Sequence, residues 1–225
     1  MSSSNRYMSA QDRIYQIWSP QEQFETFKHG YDTSRYVRRG EKLSEWQFDE
    51  KVSIGFLAER YGLDTRMLTY GGGCYEEENE RHQFGQLVKA WVHLSLNGVR
   101  FANVTAEVII DRVYSKIVSV SMPCFKLERL PNRSSRARIG LGAAINAARS
   151  TLGRKASNLD LNNGEPWGPE HTYLNYVAYP DGSATLVYTL HRDSGSDGPV
   201  YVDAYEGTVV AVGYSSFFQR QPMVM

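Results

Sequence analysis

Two cysteines, Cys74 and Cys124, in 225 residues are too few for a disulfide framework and lack the C-x-x-C spacing of a zinc or redox pair. They can pair with each other or stand as two separate buried thiols. Net charge is absent too: 25 basic residues balance 25 acidic ones. That balance gives no electrostatic case for nucleic acid or an anionic membrane as partner. No apolar run approaches the roughly 20 residues a membrane span needs. The first 20 residues, MSSSNRYMSAQDRIYQIWSP, have no apolar stretch of the kind that drives secretion. What is present is ordinary globular material, 41% hydrophobic and 22% charged. A chain this long buries roughly 70% of its unfolded surface without a metal or disulfide. Fifteen tyrosines and nine phenylalanines favour sheet, where aromatics pack well on a pleated surface.

The organising stretch runs from Gln86 to Ser121. Trp91, Val92, Leu94 and Leu96 lead to Asn97-Gly98, and Val99, Phe101 and Val104 resume the pattern beyond. Asn-Gly between such runs predicts a hairpin, because both residues accept positive φ. A further apolar run, Val104 to Ile110, stops at Asp111, and Lys116 to Val120 supplies a third antiparallel strand.

Upstream, residues 1–44 lack sustained periodicity and read as an irregular segment. Residues 45–61 read as a helix with Val52, Phe56 and Leu57 on its apolar face, Ser44 as N-cap and Gly62 closing it. Residues 70–82 read as a loop. Its Gly71-Gly72-Gly73 lacks the G-K-[ST] of a phosphate loop, and the acidic run Glu76, Glu77, Glu78, Glu80 does not match an EF-hand. Downstream, Pro123 to Ser135 is a connector. Leu141, Ile145, Ala148 and Leu152 then mark an amphipathic helix ended by Gly153. Residues 154–170 form a loop, and strands follow at 172–179, 184–191 and 201–204, with a last one over 208–212. Two helix-then-meander stretches predict an α+β fold, with helices packed on one face of antiparallel sheets.

Several of these motifs carry a resemblance. Asn97, Gly98, Phe101, Ala102 and Asn103 resemble the strand-turn-strand signature of the fungalysin/thermolysin propeptide. Phe24-Glu25-Thr26-Phe27, after Pro20, is similar to the start of fungal members, and Phe56 to Asp64 resembles the family's first helix. Tyr201, Val202, Asp203, Ala204 and Gly207 resemble the ending of PepSY-type modules. Asp111 to Ser115 replaces the family's glycine in the turn after the hairpin, and Glu206 and Thr208 depart from the PepSY pattern around Gly207. The resemblance implies an irregular segment 1–44, a propeptide-like module 45–130, a PepSY-like module 131–214 and a tail 215–225.

By resemblance, such regions act as intramolecular chaperones and inhibitors of secreted zinc metalloproteases, and the catalytic domain of a fungalysin-type protease is the implied partner. That makes the protein extracellular by resemblance, although the chain carries no secretory signal; a cytoplasmic location is the alternative. It also reads as a stand-alone prodomain acting in trans or a truncated protease. Phe217 and Phe218, where the family passes into its catalytic domain, are candidate partner contacts. No catalytic residue, metal ligand or cofactor is expected, since none of His29, His82, His93, His171 and His191 lies in H-E-x-x-H. His93 reads as a packed or hydrogen-bonded side chain. Asn103 and Asn132 open N-x-[ST] sequons. The other reading is an α+β ligand- or protein-binding module unrelated to proteases.

Overall fold

A computed structural model describes residues 17–75, 87–126, 136–152, 173–190 and 199–212. The fold is α+β. It divides into two compact units, one built on Ser19–Glu128 with Pro180–Gly182, the other on Arg129–Tyr179 and Ser183 onward.

The first unit holds five antiparallel strands and one helix: β1 (Glu22–Asp32), α1 (Glu45–Tyr61), β2 (Leu68–Tyr75), β3 (Leu87–Leu96), β4 (Val99–Asp111) and β5 (Lys116–Pro123). Hydrogen bonding sets the order β1-β5-β4-β3-β2. The hairpin forms as expected. Asn97 and Gly98 take φ of 52° and 77°, both positive, as a two-residue turn matched to strand twist requires. At the next turn, between β4 and β5, Ser115 adopts a φ of 51°. Its carbonyl accepts hydrogen bonds from the Thr33 amide at 3.0 Å and the Thr33 hydroxyl at 3.1 Å, which hold that conformation in place.

Helix α1 starts and stops where the sequence indicates. The Ser44 hydroxyl accepts from the Gln47 amide at 3.2 Å, while the Gln47 side chain accepts from the Ser44 amide at 3.0 Å. This reciprocal cap satisfies two amides that the first helical turn leaves open. Gly62 ends the helix in the left-handed region. Val52, Phe56 and Leu57 are fully buried against Ala90, Val92 and Val108 of the sheet. Each such side chain contributes roughly 1.5–3 kcal/mol of burial.

Two expectations need correction here. The segment 1–44 is not irregular throughout, because β1 occupies Glu22–Asp32 and pairs with β5. Phe27 and Tyr31 pack edge-to-face on Phe56, with centroids 5.7 and 5.4 Å away. A bulge between Thr26 and Tyr31 interrupts the alternation, which hides the strand from a periodicity reading. The stretch 70–82 is not a loop from its start either. Strand β2 runs through Gly71, Gly72 and Gly73 to Tyr75, with a bulge between Tyr70 and Gly72. Pairing with β3 outweighs the poor strand propensity of glycine, and the close packing demands it.

The second unit contains α2 (Leu141–Leu152) and a four-strand antiparallel meander: β6 (Leu174–Ala178), β7 (Ala184–Leu190), β8 (Val200–Asp203) and β9 (Val209–Val212). The buried stripe of α2 runs through Ala144 and Ala148, while Leu141 and Ile145 are only half-buried. Small side chains let the helix sit close on the sheet, so the stripe is rotated from the one that leucine and isoleucine alone suggest. Ahead of the helix, the amides of Arg138 and Ile139 both donate to the Ala204 carbonyl, at 2.8 and 3.1 Å, and the Tyr188 hydroxyl donates to the Ile139 carbonyl at 2.8 Å.

Candidate functional site

The first turns of α1 place Glu45, Trp46 and Asp49 beside the end of β2 and the β4–β5 turn. Arg112, from that turn, is the centre of the arrangement. Its Nε donates to Asp49 Oδ1 at 3.0 Å, and its Nη2 donates to Asp49 Oδ2. Nη1 donates to Glu45 Oε2 at 2.6 Å and to the Tyr75 hydroxyl at 3.1 Å. The Tyr75 hydroxyl donates in turn to Glu45 Oε2 at 2.9 Å, and the guanidinium lies 5.5 Å from the centre of the Tyr75 ring.

Asp49 is almost wholly buried, with 3% of its side chain exposed, against 15% for Arg112. The fork of two parallel bonds suits a planar guanidinium and fixes its orientation. Hydrogen bonding to Asp49 pushes the Arg112 pKa further up, and Tyr75 followed by Arg112 holds the Glu45 carboxyl below its ordinary value. Both groups stay charged at neutral pH. With its donors engaged, Arg112 serves as a rigid post rather than a proton carrier.

Around that post the surface is aromatic. Trp46, Tyr75, Val113 and Tyr114 are 55%, 56%, 52% and 69% exposed. Trp46 packs edge-to-face on Tyr70, with centroids 4.7 Å apart. Trp, Tyr and Arg are the residue types enriched at binding hot spots. The arrangement is therefore equipped for docking a protein surface. Sequence reading did not find it, because Asp49 and Arg112 are 63 positions apart; the only signal was a cluster of large side chains at a helix start and in a turn.

The sheet face away from α1 carries a second, polar row. Glu107 accepts from Trp91 Nε1 at 3.1 Å and pairs with Lys89 Nζ at 3.2 Å. His93 Nδ1 is hydrogen-bonded to the Thr105 hydroxyl at 2.8 Å. A side chain on Gly71 would come within 2.3 Å of His93 Nε2, which is why the bulge residue is glycine. Burial, with a smaller contribution from the positive Arg100, lowers the His93 pKa to about 4, so the ring is neutral at pH 7. The packed, hydrogen-bonded histidine expected from sequence is what the structure contains.

The other residues singled out in the sequence serve turns and core. Phe101 is fully buried, 5.8 Å from the Phe125 ring, and Ala102 and Asn103 are half-buried in β4. Asn103 thus lies within a strand rather than in an exposed loop. In the second unit Tyr201 and Val202 are buried in β8. Asp203 Oδ1 accepts from the amides of Tyr205 and Glu206, at 2.7 and 2.8 Å, and shapes the turn. Ala204 is fully buried, and Gly207 takes a φ of 70° while its amide donates to the Asp203 carbonyl. Phe217, Phe218, Asn132 and the acidic run 76–80 lie outside the described residues. Cys74 and Cys124 are free and exposed, which overturns both the pairing and the buried-thiol alternatives. Among the described residues no cluster of three metal-ligating side chains occurs, and no helix is long and apolar enough to cross a membrane.

No known protein family matches this sequence, and no curated protein sequence matches it. Among solved structures the chain is similar to the Bacillus megaterium YpeB C-terminal domain, with 12% identity and a TM-score of 0.42. The alignment covers 76% of this chain and 66% of that one, so the chain spans about two-thirds of its length. That likeness is too distant to carry function across. No family match supports a fungalysin propeptide specifically.

Proposed function

We propose that this chain is a protein-binding module of the protease-prodomain kind, partnered by the catalytic domain of a fungalysin-type zinc metalloprotease. In that role it assists folding of the protease, holds it inactive and works outside the cell. The observation that carries the binding reading is the exposed aromatic rim, Trp46, Tyr75 and Tyr114, set around the immobilised Arg112. An anchor whose side chains are already held loses little conformational entropy on docking. The choice of partner rests on the motif resemblance. The motif residues sit in the turns and core that would give such a module its rigidity.

The test is titration of the purified chain against an active fungalysin-type protease with a peptide substrate. Saturable inhibition, weakened at least about tenfold by Trp46→Ala with Tyr114→Ala, is expected of hot-spot truncation. Absence of inhibition by a chain that circular dichroism shows to be folded would reject the protease partner. A binding module unrelated to proteases is then the reading to pursue, and the half-buried polar row of Lys89, Trp91, His93, Thr105 and Glu107 is the surface that favours it.

A further inference from the structure

The surface around Arg112 carries an unbalanced charge as well as aromatic rings. Three carboxylates, Glu45, Asp49 and Glu50, stand against one guanidinium, which leaves negative charge in excess. Tyr70 packs on Trp46, and its hydroxyl feels Asp49, Arg112 and Glu50 together, so these groups share one field. Asp49 is matched by Arg112, and Lys51 is engaged by Glu41, to which its Nζ donates at 2.6 and 2.7 Å. Glu45 is only partly matched. Its side chain is 68% exposed. Oε2 accepts from Arg112 and from Tyr75, while Oε1 accepts from nothing among the described residues. The sequence adds to the excess, since Glu76, Glu77 and Glu78 follow Tyr75 directly.

Any surface that covers Trp46 and Tyr75 also covers Glu45, which neighbours Trp46 in α1 and bonds the Tyr75 hydroxyl. An apolar surface there would take the carboxylate out of water with one oxygen unmatched, a cost that a cation opposite Oε1 offsets. We propose that the occupant of this rim is an arginine side chain of the protein partner, with one N–H on Glu45 Oε1 and its guanidinium plane against the exposed ring of Trp46. Arginine suits both contacts, because its planar head carries several donors and stacks on aromatic faces. Arg112 opposes it little, since the Asp49 fork matches its charge. The excess negative charge also speeds the approach of a basic surface. The inference rests on the reading of this rim as a docking surface and names the partner's chemistry there; it does not require that partner to be a protease.

The test is an NMR titration of the isotope-labelled chain with the end-blocked peptide Gly-Arg-Gly-Arg-Gly. The control is the same peptide with citrulline, a neutral isostere, in place of arginine. The expected result is a saturable displacement of the Trp46 indole resonance and of the amides around Arg112 by the arginine peptide and not by the citrulline one. Glu45→Gln keeps an acceptor for Arg112 and Tyr75 but removes the charge, and is expected to weaken binding at least about threefold. Circular dichroism of that variant monitors its fold. Should it misfold, Trp46→Ala decides in its place, with an expected loss of about two- to fivefold read from the amides around Arg112. Equal effects of the two peptides overturn the proposal. So do displacements that leave Trp46 unmoved, or an unchanged affinity in the folded variant. No protease takes part in the titration, so its failure would leave the prodomain reading to the inhibition assay alone.

Discussion

Acidification offers a direct measure of how tightly His93 is packed. In the folded chain its pKa is about 4, against an ordinary value of 6.5, because burial removes water from the charged ring. The unfolded chain therefore binds a proton between those two values while the folded chain does not. Stability falls as pH drops from 6.5 towards 4, and this contribution to the loss is complete below that range. A shift of this size corresponds to a penalty on the order of 3 kcal/mol. The assay is urea unfolding followed by tryptophan fluorescence at pH 7, 5.5 and 4. Carboxylates titrate near the acid end as well, so the informative quantity is a difference from His93→Gln. Glutamine keeps a polar group near Thr105 but does not titrate. The variant is expected to show a shallower loss of stability over this range, by up to one proton's worth of slope. Equal slopes for the two proteins would refute the argument, and would mean that the ring is protonated in the folded state without penalty.

Three further outcomes follow from the packing. Asp49→Ala leaves the Arg112 guanidinium, only 15% exposed, without its main partner, and is expected to cost about 3–5 kcal/mol in urea unfolding. The double variant with Arg112→Ala should cost less than the two single losses summed. Ser44→Ala removes the α1 cap and is expected to cost about 1 kcal/mol, read as a lowered melting temperature. Gly71→Ala drives a methyl group into His93 and is expected to cost about 1–3 kcal/mol, with the His93 proton resonances displaced in an NMR spectrum.

Where structure follows from neighbours in sequence, the chain was readable. The bounds of α1 come from Ser44, Gln47 and Gly62, all acting within one helical turn of the helix ends. The hairpin comes from two residues that tolerate positive φ, and the β8–β9 turn from Asp203 bonding to amides two and three positions on. Strand β1 was not readable, because a bulge broke its period before the aromatic residues Phe27 and Tyr31 could declare a face. Glycines in β2 reverse the usual local inference. Gly71 is there because His93, 22 positions later, occupies the space beside it.

The candidate site belongs wholly to the second class. Nothing near Arg112 in the chain predicts that its fork will close on Asp49, or that Tyr75 will bond both Arg112 and Glu45. The sequence alone determined the α+β class, the capped helix, the tight turns and the order of the two helix-plus-meander units, since each depends on periodicity or on contacts a few residues apart. Tertiary structure decided which strands form the edges, which aromatic rings are left uncovered, and which histidine is kept neutral. Those outcomes depend on strand pairing and burial between residues tens of positions apart, and only the folded chain brings those residues within reach.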